Sequence, residues 1–248
     1  MLDQFDSINL EEVDSLALMN RQDTKYILPT TSLDNFLRHL KATHKILEIE
    51  GFRSFHYNNL YLDTDDLICF YEHHRGRMHR YKLRLRQYQE THETFFEIKR
   101  KNNKDRTIKR RFSVSKVEGD PLEAMKAFIP EHSPFQYEDL HERIHIDFER
   151  ITMVSFAQQH RLTIDRNLSY YFPGEDPQFM ENLCIIEVKQ GRAAGRMPLW
   201  YVLKEVGAMP ISMSKYCLAN IMLDPTLKAN RFKPKIKMIN KISHVNSA

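Results

Sequence analysis

Several stretches of this chain alternate with a period of two, placing charged side chains on one face and mostly apolar or aromatic ones on the other, as strands do. Arg21, Asp23 and Lys25 alternate with Gln22, Thr24 and Tyr26, and Lys82, Arg84 and Arg86 with Tyr81, Leu83 and Leu85. Glu97, Lys99 and Lys101 oppose Phe96, Ile98 and Arg100; Lys109 and Arg111 oppose Ile108, Arg110 and Phe112. Further along, Arg161, Thr163 and Asp165 oppose Leu162 and Ile164, while Glu187 and Lys189 oppose Ile186 and Val188. A further strand is expected over 58–64, with Leu60 and Leu62 on its apolar side.

Helical spacing marks other segments. The clearest helix is predicted over 32–47, where Leu33, Phe36, Leu37, Leu40 and Leu47 form one stripe. Another starts at Pro198, carries Leu199, Val202, Leu203 and Val206 in register, and stops at Gly207. Shorter helices are predicted over 121–128, 139–145 and 215–223, and residues 1–20 read as an acidic helical segment. Strands outnumber helices without a regular strand-helix-strand order, which points to an α+β fold around a mainly antiparallel sheet.

Charge sharpens this picture. Residues 75–111 hold fourteen Lys/Arg against four Asp/Glu, a net of +10, while the rest of the chain nets −6. In Tyr81-Lys82-Leu83-Arg84-Leu85-Arg86 three cations stack on one face with no acid between them. Like charges so placed repel, so an anionic partner should sit against them. Two arrangements are open: a charged face turned to solvent, or a sheet closed into a barrel whose charged faces line the interior and whose apolar faces are covered by amphipathic helices. Closure costs several kcal/mol per unpaired buried charge, so water, internal acids and a polyanion must compensate. Glu97, Asp165 and Glu187 would supply the acids.

The 248 residues show no linker or repeat and read as one domain over 1–227, followed by a basic, weakly patterned tail over 228–248. The chain has no apolar run of membrane-spanning length and no basic-then-apolar leader, so a soluble, cytoplasmic protein is expected. Cys69, Cys184 and Cys217 are odd in number and far apart, which argues for buried thiols rather than disulfides or a zinc site. His73 and His74 are adjacent, point apart on a strand, and are assigned no metal.

An ordered series of motifs resembles the catalytic domain of the vacuolar transporter chaperone (VTC) complex. That domain is a polyphosphate polymerase among the triphosphate tunnel metalloenzymes, a group that includes the CYTH-type tripolyphosphatases. The series is Arg21-Gln22-Asp23-Thr24-Lys25-Tyr26, Tyr61-Leu62-Asp63-Thr64, Lys82-Leu83-Arg84-Leu85-Arg86 and Phe96-Glu97-Ile98-Lys99-Arg100-Lys101. It continues with Phe148-Glu149-Arg150, Arg161-Leu162-Thr163-Ile164-Asp165, Ile186-Glu187-Val188-Lys189 and Ser214-Lys215-Tyr216. The resemblance implies an eight-stranded antiparallel β-barrel tunnel with a charged lumen, covered outside by helices. By it, Lys25, Arg84, Arg86, Lys99, Arg150, Arg161 and Lys215 hold phosphates and carry catalysis, with Arg75, Lys82, Lys101, Lys109 and Lys189 binding substrate. Glu187 matches the family's metal-binding carboxylate, with Glu97 as a second acid, for Mn²⁺ or Mg²⁺.

The implied reaction moves the γ-phosphate of a nucleoside triphosphate onto an inorganic polyphosphate chain. Such a transfer needs positioning and charge neutralisation more than covalent chemistry, which suits fixed guanidinium groups and a hard divalent ion. Water as acceptor would make the same site a tripolyphosphatase, and a site without turnover would be a polyphosphate sensor. Nucleic-acid binding is not expected, and any membrane-protein partner would be a separate chain. The chain departs from typical CYTH members in carrying only Asp23, rather than two spaced glutamates, before the first lysine. Neither the phosphate-sensing domain nor the membrane helices of the eukaryotic complex are expected in this chain. Asp63 is expected to cap the turn after its strand, Asp165 to orient Arg161 or Arg150, Arg100 and Arg110 to lie off the charged face, and residues 104–106 to form a solvated turn.

Overall fold

The alternating stretches all become strands of one sheet. A computed structural model describes residues 1–16, 21–103, 107–191 and 198–243. In chain order the elements are β1 (Ser7–Ile8), α1 (Leu10–Ser15), β2 (Arg21–Pro29), α2 (Leu33–Leu40), β3 (Lys45–Leu47), β4 (Phe55–Asp63), α3 (Ile68–Arg75), β5 (Arg80–Tyr88), β6 (Glu93–Lys101) and β7 (Thr107–Ser113). There follow α4 (Pro121–His132), β8 (His141–Ser155), β9 (His160–Tyr171), β10 (Gln178–Met180), β11 (Leu183–Gly191), α5 (Pro198–Glu205), β12 (Met209–Pro210), α6 (Lys215–Leu223) and α7 (Lys233–Ser243).

The twelve strands join along a path β12-β2-β11-β9-β8-β4-β5-β6-β7, with β10 paired to β9, β3 to β8, and β1 to β3. Along that path every pair is antiparallel. The expected closed eight-stranded barrel is not what forms: among the described residues the ladder stays open, ending at β12 and β7. The sequences of these edges explain why. β12 is two residues long and ends in Pro210, which has no N–H to offer. β7 leaves residues 107–111 exposed, with Lys109, Arg110 and Arg111 discouraging a further strand. A side chain links β5 to the segment after β12, with Lys82 Nζ donating to Ser214 Oγ at 2.8 Å.

Each face of the sheet is covered. On one, Leu28, Ile151, Met153, Leu162, Ile164 and Ile186 pack with Phe36, Leu37 and Leu40 of α2 and Leu199 and Leu203 of α5, and Leu83, Phe96 and Ile98 pack with Ile129 of α4. On the other, Ile27, Ile144, Ile146, Leu168, Tyr170, Leu183 and Ile185 pack against α6 and the buried Ile239 and Ile242 of α7. Residues 216–221 of α6 are all buried, which suits a helix that is apolar almost all round. A bulge between Asp147 and Glu149 in the β8–β9 pairing, with Asn167 in the left-handed region (φ 52°), lets β9 present Asp165 and then Leu168 to the same side.

Several local expectations change. The helix predicted over 32–47 stops at Leu40, because Ile46 and Leu47 join β1 and β8 rather than extend the stripe. The helix predicted over 139–145 is the start of β8, whose Ile144 and Ile146 alternate with polar neighbours. His73 and His74 lie on α3, not a strand. The tail expected to be loose contains α7, anchored by its isoleucines. The predicted turn over 104–106 lies outside the described residues. The three cysteines are buried free thiols, and among the described residues no helix is long and apolar enough to cross a membrane.

Candidate functional site

The inner side of the sheet, where α6 packs, is divided. Along β11 it presents Leu183 and Ile185 and then Glu187 and Lys189; along β2, Ile27 and then Lys25. Register extends the charged part across the strands: Lys25 stands opposite Glu187, Glu187 opposite Thr163, Thr163 opposite Thr152, and Lys189 opposite Arg161. On the other wing Lys82 stands opposite Lys99 and Lys99 opposite Lys109, while Arg84 stands opposite Glu97 and Glu97 opposite Arg111.

Glu97 is 0% exposed. It accepts hydrogen bonds from Arg84 Nε (2.8 Å) and Nη2 and pairs with Lys109. Burial alone would raise its pKa, but Arg84, Arg86 and Lys109 hold it well below the usual carboxylate range. Arg84 also donates from Nη1 to Tyr61 Oη at 2.9 Å. Arg86 donates from Nε to Asn59 Oδ1 at 2.8 Å and lies over the Tyr57 ring, 4.7 Å from its centroid. Tyr57 in turn stacks on Phe148.

A second buried carboxylate ties three elements together. Asp165, 2% exposed, accepts from Arg150 Nε at 2.6 Å and Nη2 at 2.8 Å, and from Lys215 Nζ at the start of α6. Burial pushes against its charge, yet Arg150 and Lys215 depress its pKa to about 2. Arg150 and Lys215 both lie over Phe148. The third acid, Glu187, accepts from Lys25 Nζ at 2.9 Å; Lys189, Lys25 and Arg150 outweigh its burial and hold its pKa low.

These three acids do not neutralise the cations around them. Lys99 is pushed well below the lysine range, first by Arg84, then by burial and by Arg86. Burial is the leading cause for Lys82, Lys109 and Arg86, which are all lowered. Lys189 falls to about 8 and Lys215 to about 7, burial outweighing Glu187 and Asp165 respectively. Cations crowded in a low-dielectric setting are individually costly, and an anion between them relieves that cost.

A profile of the VTC domain matches residues 20–223. The chain belongs to the VTC-domain family. Among solved structures, the VTC domain is similar to a candidate adenylate cyclase from Bacillus halodurans, at 15% identity, covering 86% of this chain and 99% of that one with a TM-score of 0.48. A second is a candidate adenylate cyclase from Vibrio parahaemolyticus, at 10% identity, 80% and 96% coverage, and a TM-score of 0.48. A third is a Hippeastrum protein, a candidate adenylyl cyclase whose description gives it a dominant triphosphatase activity, at 16% identity, 85% and 98% coverage, and a TM-score of 0.44. A comparison with curated proteins gives no match.

The VTC domain thus gathers most of the residues expected from its sequence: Lys25, Lys82, Arg84, Arg86, Glu97, Lys99, Lys109, Arg150, Glu187, Lys189 and Lys215 share the inner side. Arg161 flanks Lys189 and reaches Asp14 of α1 at 3.7 Å. Lys101 lies at the end of β6, opposite Arg80. Arg75 is not brought into the row; at the end of α3 its side chain is 59% exposed, beside Glu72 and Tyr71. Asp63 accepts from the backbone N–H groups of Thr64, Cys69 and Phe70 and from Tyr216 Oη, a structural cap for α3.

Asn59 and Tyr57 hold Arg86 and carried no weight in the sequence reading. Their signal was the other face of β4, where period two aligns Tyr57, Asn59 and Tyr61 opposite Leu60 and Leu62. The donor set also tests the implied divalent ion. Among the described residues no group of three or more His, Cys, Asp or Glu is placed to hold a metal. Glu97 is already engaged by Arg84 and Lys109. Glu187, beside Lys25 and Lys189, fits an ion of the Mg²⁺ or Mn²⁺ type that takes one protein carboxylate and completes its shell with water and phosphate oxygens.

Proposed function

We propose that this VTC domain is a phosphotransferase that moves the γ-phosphate of a nucleoside triphosphate onto the end of an inorganic polyphosphate chain held along the inner charged side. The observation that carries this reading is the set of half-buried cations on the inner face, Lys82, Lys99, Lys189 and Lys215, whose charges are all disfavoured in the free protein. A linear polyanion is the ligand that offsets many such charges at once. In the transfer, the bond between the γ-phosphorus and the β,γ-bridging oxygen breaks as the terminal oxygen of the chain bonds to that phosphorus, and the nucleoside diphosphate leaves.

The residues divide this work. Arg84, locked by Glu97 and Tyr61, and Arg150, locked by Asp165, are fixed cations that need no reorganisation when charge develops. Arg86 and Lys99 extend the cradle, while Lys25 and Lys189 flank Glu187. A divalent ion held by Glu187 would neutralise oxygens near the cleaved bond. Because Lys25 and Lys189 stand beside that carboxylate, phosphate charge would have to accompany the ion.

Incubation with ATP and Mn²⁺, followed by sizing of acid-labile phosphate, tests the reading. Chains longer than the substrate are expected. Orthophosphate alone would make the protein a hydrolase, and tight tripolyphosphate binding without turnover in Mg²⁺ or Mn²⁺ would make it a binding protein.

A further inference from the structure

The inner row of cations does not end at Lys82 and Lys99. The next pair toward that end of the two strands is Arg80 and Lys101, about 7 Å further on at two residues of strand rise. Arg80 Nη1 donates to the carbonyl of Arg77 at 2.7 Å, which draws the strand end to the segment after α3. At the C-terminal end of α3, Arg231 lies against Gly76, where an added Cβ would be 2.6 Å from Nη1, and that nitrogen donates to the carbonyl of Arg75 at 2.6 Å. Phe232 packs beside His73 and His74, and Lys235 lies over the Phe232 ring at 4.8 Å. Residues 225–243 carry no Asp or Glu. Glu72 is the acid on α3 near this surface, and it is paired with Arg75.

Two segments far apart in sequence therefore build one basic apron at the Lys82 end of the site. The open cavity beside it, of about 870 Å³, is lined by Glu72, Arg75, Gly76, Arg77, Met78 and His79. His73, held inside the apron, has its pKa lowered to about 2, by burial first and then by Lys82, Arg80, Lys235 and Lys101. The four cations that act on one ring come from both the inner row and α7, and Arg231, Lys228 and Arg75 likewise lower the pKa of the neighbouring His74, after burial.

We propose that Arg77, Arg80, Lys101, Lys228, Arg231 and Lys235 form a second anion subsite that continues the inner row beyond Lys82 and takes the part of a phosphate chain that extends past it. This rests on the phosphate-chain reading above and adds to it a direction: the chain runs out at the α3–α7 end. Arg77, Lys228 and Arg231 are exposed, and surface charges of this kind suit a flexible chain of repeating phosphates that no fixed pocket needs to grip.

The test compares tripolyphosphate with long-chain polyphosphate on the full-length protein, using Arg77→Gln/Lys228→Gln/Lys235→Gln. All three side chains lie at the surface or its margin, so folding should survive. Tripolyphosphate affinity is expected to stay within twofold of the parent. Long-chain affinity should fall at least tenfold, and the slope of log affinity against log salt should drop by about 2, at roughly 0.7 per lost phosphate contact. A control, Lys233→Gln/Lys237→Gln/Lys241→Gln, removes the same charge from the outer side of α7 and should lose less than threefold. Equal losses in both variants, equal losses for both ligands, or no loss for long chains would each overturn the subsite. So would binding to phosphatidylserine vesicles that only the first variant abolishes while long-chain affinity is intact. If the parent binds neither phosphate, the functional reading itself fails, which is a separate result.

Discussion

The two halves of the inner side are built on the same strands and obey the same alternation, yet they do opposite things. On β11, Leu183 and Ile185 are buried against α6 and α7, whereas Glu187 and Lys189, two and four residues beyond Ile185, lie among cations. On β8 the change falls between Phe148 and Arg150. The apolar half gains free energy from removing surface from water. The charged half gives some of it back by holding cations close without enough acids. Side-chain period decides which face a residue occupies, and the helix that covers part of that face decides which residues can be charged.

The comparison can be broken first at the apolar half. Ile185→Ala removes a side chain only 2% exposed from the cluster against α6 and α7 and should cost about 2–5 kcal/mol of stability. Urea titration measures it. Phosphate binding per folded molecule should stay near that of the parent; a variant that folds normally but no longer binds would show that the halves are not separable.

The charged half predicts the reverse. Arg86→Ala removes a guanidinium held by Asn59 and Tyr57 and should lower kcat/KM for ATP about 10²–10³-fold, in the range found for preorganised donors to developing charge. Its melting temperature should hold or rise, because the charge removed is one that burial and Arg84 disfavour. A large fall in melting temperature with little change in kcat/KM would invert the assignment.

Much of this division was legible in the residues themselves. The strands around Lys82, Glu97, Arg161 and Glu187 alternate so regularly that one face had to be charged, and the structure puts them side by side. Three things were not legible. The segment 139–145 holds apolar residues at spacings that fit a helix locally, and only pairing with β4 and β9 makes it a strand. Barrel closure depends on the two edges meeting, and among the described residues Pro210 and the basic β7 leave the ladder open. The partners of Arg84 and Arg150 depend on cross-strand register: Glu97 is thirteen residues from Arg84 and Asp165 fifteen from Arg150.

Acid should separate the inner carboxylates from a buried pair elsewhere in the fold. His44 Nε2 and His160 Nε2 are 2.8 Å apart and nearly inaccessible. Burial lowers their pKa values to about 3 and about 4, with His160 adding to the effect on His44. The unfolded chain takes up protons near pH 6.5 that the folded one refuses, so the stability of neutral rings is fully present above that pH. It is lost as pH falls toward 4 for His160 and toward 3 for His44, at about 2 kcal/mol per ring by pH 5. Asp165, with a folded pKa near 2, adds its own loss only as pH falls below the ordinary carboxylate range. Melting curves of His44→Leu/His160→Leu should therefore be flatter than the parent's between pH 7 and 5 and rejoin its slope only below about pH 3. Parallel curves throughout would remove the histidines as the cause.

The smallest effect is the sharpest test of what the charged half is for. Lys99 faces Arg84, Arg86 and Lys109 and has its charge disfavoured more by Arg84 than by burial. Its folded pKa lies below its unfolded one, so the charge opposes folding at neutral pH, and the penalty fades as pH rises toward the unfolded value. Lys99→Met keeps the length of the side chain without the charge and should stabilise the free protein by about 1 kcal/mol. It should also flatten the rise in parent stability between pH 7 and 10. Saturating tripolyphosphate should then raise the melting temperature of the parent more than that of the variant, because ligand stabilisation follows affinity. A variant less stable than the parent when free, yet stabilised equally by ligand, would show that Lys99 contributes packing and not an unfilled anion site.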